Sequence, residues 1–170
     1  DKGNGIVTEP GPDSYDEINS NIRGANYGWP MMLQTNIVDN PLSNNQSIKP
    51  LRSYYITVTP TQAVYYNGDM YPELKGNFIV GSFRGDLYAY RTSEDGKALI
   101  KEIRVITSVY PSKEVVGVAV SPRGQIYFGA YDIFKLEKLD PTSQEEIMFP
   151  IQINATNIKV TDVNYAEHTK

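Results

Sequence analysis

Thr8-Glu9-Pro10-Gly11-Pro12-Asp13-Ser14-Tyr15-Asp16-Glu17-Ile18-Asn19 is the stretch best suited to chemistry, and the chemistry it suits is the holding of a hard cation. A Gly-Pro pair keeps the backbone in an extended, turn-forming shape that leaves its carbonyls unpaired and facing outward. Such carbonyls beside carboxylates favour calcium, which takes about six to eight oxygens. Asp13, Asp16 and Glu17 stand close enough in sequence to supply the charge. On composition alone the commoner outcome for such residues is an acidic surface loop with ordinary turn chemistry. Arg23-Gly24-Ala25-Asn26-Tyr27-Gly28-Trp29-Pro30 follows, with Trp29 read as a buried anchor.

Other chemistries find less support. The chain has no cysteine, which excludes a disulfide framework, a thiolate metal site and a cysteine nucleophile. Ser14, Ser82 and Ser121 have no histidine partner, since the one histidine, His168, stands two residues from the C-terminus where a frayed segment cannot hold a base in register. No Gly-rich phosphate loop and no HExxH pattern occurs. Asp13 and Glu17 imitate a glycosidase's two carboxylates, but a pair local to one loop is more often a solvated or cation-binding face. Tyrosines, 13 in number, read as strand packing rather than as a platform for carbohydrate. With 16 Lys and Arg scattered against 20 Asp and Glu, the net charge is −4 and no basic stripe follows a phosphate backbone, so nucleic acid is not an expected partner.

The elements that must position these residues are strands. Thirteen Gly and 11 Pro punctuate short segments of Val, Ile, Tyr, Phe and Thr, which predicts an all-β chain. Its 40% hydrophobic residues allow a core, and apolar runs as short as Val115 to Val120 predict a soluble protein with no membrane span. An internal repeat organises the chain: Gly76-Asn77-Phe78-Ile79-Val80-Gly81-Ser82-Phe83 matches Gly124-Gln125-Ile126-Tyr127-Phe128-Gly129-Ala130-Tyr131, at an offset of 48 residues. A second strand follows each copy, Asp86 to Arg91 and Ile133 to Lys138. Consecutive antiparallel strands repeating at about 40–50 residues have the size of a β-propeller blade. The alternative is two similar hairpins in a sandwich. Glu102 to Ile106 alternates as a half-exposed outer strand, while the β-branched run from Val115 to Val120 predicts a fully buried inner one. Ser143 to Glu146 is expected to form a helical turn, and Ile151 to Val163 a closing strand. The chain opens Asp1-Lys2-Gly3-Asn4-Gly5, without initiator Met, basic segment or apolar signal stretch, and reads as a processed or excised part.

The order of the first segment closely resembles the soluble quinoprotein sugar dehydrogenases of the glucose/sorbosone dehydrogenase family: Gly-Pro, then Asp-Glu-Ile-Asn, then Gly-x-Asn-Tyr-Gly-Trp-Pro. Later segments resemble it in order and spacing, namely Thr59 to Gly68, Tyr71 to Ser82, and Ser121-Pro122-Arg123-Gly124-Gln125-Ile126-Tyr127. The resemblance spans residues 8 to about 137 and implies part of a six-bladed propeller, here about three to four blades over 1–140, with 141–170 as closing strand and polar tail. It implies oxidation of an aldose at C1 to a lactone with pyrroloquinoline quinone (PQQ) and calcium, in an extracellular or periplasmic setting. It assigns the main-chain oxygens of Gly11 and Pro12 to the calcium that meets the cofactor, and Glu17 and Tyr27 to a second, structural calcium. Arg84 falls where a cation lies near the quinone, and Tyr55 and Thr57 where an aromatic and a small polar residue line the cofactor cleft.

Two departures accompany the resemblance. Where the family carries arginines for the cofactor's carboxylates, this chain reads Lys113-Glu114-Val115-Val116, which removes favourable pairs and adds repulsion. The family's catalytic histidine lies upstream of the Gly-Pro segment, so no catalytic residue is assigned here and the chain alone is not expected to turn over. The competing expectation is a calcium-stabilised propeller that binds or scaffolds without quinone chemistry. Six repeats of this size need roughly 290 residues, so missing N-terminal blades or a second copy of the chain are the expected partners, besides an aldose or other small molecule.

Overall fold

The computed structural model describes residues 4–11, 14–28, 47–107, 114–130, 133–138, 152–153 and 158–162. Pro12, Asp13, Trp29, Lys113, His168 and the expected helical turn at 143–146 lie outside them.

Three antiparallel sheets follow one another along the chain. The first contains β1 (Ile6–Glu9), β2 (Asp16–Ser20) and β3 (Arg52–Tyr54), in that order. The second runs from β4 (Pro60–Tyr66) through β5 (Asn77–Ser82) and β6 (Leu87–Thr92) to β7 (Leu99–Thr107). The third runs from β8 (Gly117–Val120) through β9 (Ile126–Gly129) to β10 (Ile133–Lys138). The last two strands go to different sheets: β11 (Gln152–Ile153) adds outside β7, and β12 (Ile158–Asp162) adds outside β10. The single closing strand expected at Ile151–Val163 is thus two short ones, and the chain laces the second and third sheets together. One 3₁₀ turn, Pro72–Leu74, links β4 to β5. Consecutive, side-by-side antiparallel sheets are the blades of a partial propeller, and no helix of the described residues is long and apolar enough to cross a membrane.

The repeat occupies equivalent places. β5 and β9 are each the second strand of their sheet, and β6 and β10 each the third. Both sheets turn their strands with the same device. In Ser82–Asp86, Gly85 donates to the Ser82 carbonyl at 2.9 Å and Ser82 to the Asp86 carbonyl at 3.0 Å, and in Ser121–Gln125 the same bonds measure 2.9 and 2.8 Å. Gly85 and Gly124 take φ of 87° and 84° there, a left-handed conformation that favours glycine at this last turn position.

Alternation along β5 explains why its apolar run is continuous. Val80 and Phe78 stand opposite Tyr88 and Tyr90, and Val80, Tyr88 and Tyr90 pack with Ile18 of the first sheet. Ile79 stands opposite Ala89 and packs with Ile126 and Phe128 of the third. A sheet covered on both faces has no polar side to offer. At one end of the second and third sheets, the Tyr66 hydroxyl donates to the Gly124 carbonyl at 3.0 Å, and Gln125 Nε2 donates to Tyr71 Oη at 2.7 Å.

The run from Val115 to Val120 behaves differently from its expected full burial. Val115 and Val118 are buried while Val116 and Ala119 are exposed. β8 is the edge strand of the third sheet and packs against β4 and β5 of the second, so part of the run is covered while the rest stays open, and β-branching fits a pleat that is only half buried. Among the described residues the first sheet shows no counterpart of β4 or β8. Gly3-Asn4-Gly5-Ile6-Val7 repeats Gly76-Asn77-Phe78-Ile79-Val80, and β1 therefore matches β5, the second strand of a blade.

A tyrosine cluster joins the first and second sheets. Tyr54 and Tyr90 share a hydrogen bond of 2.6 Å, Tyr54 donates to Glu102 Oε1 at 2.7 Å, and Tyr88 donates to Asp86 Oδ2 at 3.1 Å. Burial raises all three phenols above the ordinary tyrosine value, Tyr88 to about 12, with the neighbouring Glu102 and Asp86 charges adding to it. A folded value above the unfolded one gives stability that is complete below the unfolded value and lost as pH rises through the folded one. At about pH 11, absorbance titration should leave at least these three of the 13 tyrosines protonated until denaturant is added, since burial raises Tyr66 as well. Titration of all 13 in the native chain would show that the first sheet does not pack as described.

Candidate functional site

β1 and β2 form a hairpin whose connection carries the Gly-Pro segment, and Asp16 at the start of β2 organises it. Asp16 is fully buried. Its Oδ1 accepts the Gly11 N–H at 2.7 Å, and its Oδ2 accepts Thr57 Oγ1 at 2.5 Å and the Val58 and Thr59 N–H groups at 2.6 Å each. Burial pushes its pKa up, but these four bonds outweigh burial and hold it below the usual carboxylate value. The carboxylate ties the loop of the first sheet to the segment that enters the second.

The knot holds backbone that would otherwise relax. Tyr15 and Thr59 both have positive φ, 62° and 49°, and a left-handed conformation costs a non-glycine residue about 1–2 kcal/mol. The strained residues sit where the two segments meet. Gly11 has no room for a side chain, since a Cβ there would lie 2.0 Å from the Ser14 carbonyl oxygen. Its main-chain groups are what it offers, and the N–H is already given to Asp16.

From Thr59 the contacts continue across the sheets. Phe83 N–H donates to the Thr59 carbonyl at 2.9 Å, Ser82 Oγ donates to the Val58 carbonyl, and Arg84 N–H donates to Ser82 Oγ at 3.1 Å. Val115 N–H donates to the Ser82 carbonyl at 3.0 Å and its own carbonyl accepts Thr61 Oγ1 at 2.6 Å. Gly11, Thr57, Ser82, Arg84 and Val115 therefore gather at one end of the three sheets. Apolar side chains stand open to solvent on these same segments: Tyr55, Ile56, Phe83 and Val116 are 70%, 69%, 53% and 47% exposed. Tyr15 meets Tyr55 edge to face, with ring centroids 5.2 Å apart. Arg84 is exposed and pairs with no carboxylate among the described residues, whereas Arg104 nearby is spent on Asp86 at 2.7 Å.

Thr57 reaches this end with its hydroxyl already committed to Asp16, so its part is to hold the loop. Glu17, next in sequence, faces the other way. It is 6% exposed, stands opposite Glu9 across the hairpin, and shares the Asn19 amide with it: Nδ2 donates to Glu9 Oε2 and to Glu17 Oε2, at 3.2 Å each. Burial raises the Glu17 pKa, the Asn19 bond opposes this, and the Glu9 charge adds to it. Tyr27 uses its hydroxyl at the far end of β2, donating to the Ser20 carbonyl and accepting the Ile22 N–H at 3.1 Å.

Two features were not apparent from residue types. Asp16 is a hydrogen-bond acceptor rather than a supply of charge for a cation, and its signal was the polar run Thr57-Val58-Thr59, distant in sequence. Glu9, two residues before Gly11, pairs with Glu17 by strand register alone.

The donor chemistry fits the groups that the resemblance implies. Hard oxygens are present as the Glu9 and Glu17 carboxylates and as Asn19 Oδ1, which is buried with no hydrogen-bond partner, and calcium prefers such oxygens. A calcium ion with Arg84 would bring three positive charges to the three carboxyl groups of such a quinone, and the Tyr55 ring is exposed at the same end. Glu114, half-buried beside Val115, subtracts one.

A family model described as glucose/sorbosone dehydrogenase matches residues 1–132. An uncharacterized protein of Synechocystis sp. is 27% identical over 127 residues, covering 71% of this chain and 30% of that protein. Among solved structures, the soluble aldose sugar dehydrogenase from Escherichia coli in its apo form aligns with a TM-score of 0.56 at 21% identity, over 72% of this chain and 37% of that one. A glucose dehydrogenase structure aligns with a TM-score of 0.58 at 18% identity, over 94% of this chain and 40% of that one. The chain thus spans between 30% and 40% of the length of these relatives.

Proposed function

The chain belongs to the glucose/sorbosone dehydrogenase family, and from that premise we propose that it supplies one wall, and the metal-supporting loop, of an aldose-oxidising propeller. Bound with calcium, PQQ would supply the acceptor for the hydride on C1 of the sugar, the C1 hydroxyl proton going to a base, so that the aldose is oxidised to a lactone. The observation that carries this reading is the Asp16 knot, which holds Gly11 against Thr57, Val58 and Thr59 and connects them to Ser82 and Arg84.

Each residue has a definite part in the reading. Gly11 and Pro12 are the residues whose main-chain oxygens would hold the calcium, and at Gly11 the lack of a side chain would let the metal approach closely. Arg84 pairs with a carboxylate of the quinone, a planar match suited to guanidinium. Tyr55 flanks the ring system, braced by Tyr15. Thr57 acts through Asp16 and positions the loop. Glu17 and Tyr27 belong to a structural calcium, and an extracellular or periplasmic location, where that ion is plentiful, is part of the same reading. The proton-accepting base is assigned to no residue of this chain.

A second reading has its own support. Glu114, beside the buried Val115, is a carboxylate where the resemblance implies a guanidinium for the quinone's carboxylates, which favours a calcium-stabilised binding or scaffold module without quinone chemistry. Titrating PQQ into the protein at saturating calcium, and following the quinone absorbance, separates the two. A calcium-dependent spectral change supports the dehydrogenase reading, and an unchanged spectrum favours the scaffold.

A further inference from the structure

Asn67-Gly68 leaves β4 at the end of the sheets away from the Asp16 knot, since Pro60 at the start of that strand stands opposite Ser82 and Tyr66 at its finish stands opposite Asn77. Asn67 is exposed, and among the described residues neither its side-chain amide nor the Gly68 N–H makes a hydrogen bond. The backbone on both sides is held: Gly76 N–H donates to the Tyr66 carbonyl at 2.9 Å, and Tyr71 N–H donates to the Tyr66 hydroxyl at 3.1 Å. A second Asn-Gly pair, Asn4-Gly5, differs in that the Asn4 amide donates to the Glu94 carbonyl at 2.5 Å, while the Gly5 carbonyl accepts the Asn21 N–H at 2.9 Å. Asparagine is chemically labile, most of all before glycine, where no side chain shields the next main-chain nitrogen.

We propose that Asn67 is a site of spontaneous deamidation, and that its isoaspartate product loosens the join between the second and third sheets. The Gly68 main-chain nitrogen attacks Asn67 Cγ, the Cγ–Nδ2 bond breaks, and ammonia leaves with the Gly68 amide proton, closing a five-membered succinimide. Water then opens the ring. Attack at Cγ gives aspartate on an unchanged main chain, and attack at the α-carbonyl gives isoaspartate, in which the chain runs through the former side chain. Both products carry one more negative charge than Asn67, and no atom is oxidised or reduced. Only isoaspartate lengthens the main chain, by one methylene, and there is little room for Gly68 to move: a Cβ on it would lie 2.9 Å from Gly124 Cα and 2.7 Å from the Tyr66 hydroxyl oxygen. That hydroxyl donates to the Gly124 carbonyl at 3.0 Å, so displacing Gly68 disturbs the contact by which β4 holds the Ser121–Gln125 turn.

The test needs neither metal nor quinone. The full chain is incubated in mildly alkaline buffer, native and in denaturant, and sampled by peptide mapping for the mass gained when an amide becomes an acid, with an isoaspartyl methyltransferase labelling the isomerised product. In denaturant, Asn4 and Asn67 should convert at similar rates. In the native chain Asn67 should convert about three to ten times faster than Asn4, the protection that one hydrogen bond confers. Asn67→Ser should remove the methyl label from this pair. Asn67→Asp, which adds the charge without the methylene, should melt like the unaltered chain, and the isoaspartate form separated by ion exchange should melt lower than either. The proposal is overturned if Asn67 keeps its amide in the native chain while losing it in denaturant, if native Asn4 converts as fast as Asn67, or if the isoaspartate form melts like Asn67→Asp.

Discussion

Replacing Asp16 with alanine should lower the stability of the chain by about 3–5 kcal/mol, the largest effect expected of a single polar substitution here. The carboxylate accepts four hydrogen bonds, and hydrogen bonds to charged groups contribute about 1.5–3 kcal/mol each, though not additively. Without it, the Val58 and Thr59 N–H groups and the Thr57 hydroxyl lose their acceptor, and Tyr15 and Thr59 lose what holds them at positive φ. Thermal unfolding should therefore fall by roughly 10 °C or more. Asp16→Asn, which keeps one acceptor oxygen, should cost less. The pH dependence follows from the depressed folded value: this stabilisation is present above the unfolded value of 3.8 and disappears as pH falls through the lower folded value. An Asp16→Ala variant that melts within a degree or two of the parent would show that the two segments are joined by something else.

The second large effect concerns Arg84. Its guanidinium is exposed at the end of the sheets where Gly11, Tyr55 and Thr57 also lie, with no carboxylate partner among the described residues. If it pairs with the quinone, Arg84→Ala should weaken calcium-dependent PQQ binding by about ten- to a hundredfold, the equivalent of one charge-assisted hydrogen bond. Arg84→Glu should weaken it further, because it joins Glu114 in repelling a tricarboxylate. Both variants should melt like the parent, since the side chain supports nothing in the fold. Unchanged quinone affinity in Arg84→Glu would remove Arg84 from the site.

Much of this architecture was legible because strand alternation and turn chemistry are local. The 48-residue repeat marks β5 and β9, and the Gly85 and Gly124 turns recur with the same hydrogen bonds because only the local backbone matters there. What stayed hidden depends on residues distant in sequence. Asp16 looked like a source of charge because its acceptors' partners lie some forty residues on, at Thr57 to Thr59. Val116 is exposed while Val115 and Val118 are buried in the core shared with the second sheet, a difference that a run of valines does not disclose. Glu9 meets Glu17 through the register of a hairpin whose loop length had to be known first. The third copy of the repeat, Gly3 to Val7, was obscured by Gly5 standing where Phe78 supplies an aromatic.

The most direct test of the central claim is a reconstitution assay on the protein as its source makes it, with this chain in place. Calcium and PQQ are added, singly and together, and dye reduction is followed with an aldose as donor. The dehydrogenase account predicts sugar-dependent reduction that requires both additions and is lost in Arg84→Glu. A protein that binds calcium and keeps its fold, yet neither changes the quinone spectrum nor reduces dye with any aldose, would contradict it.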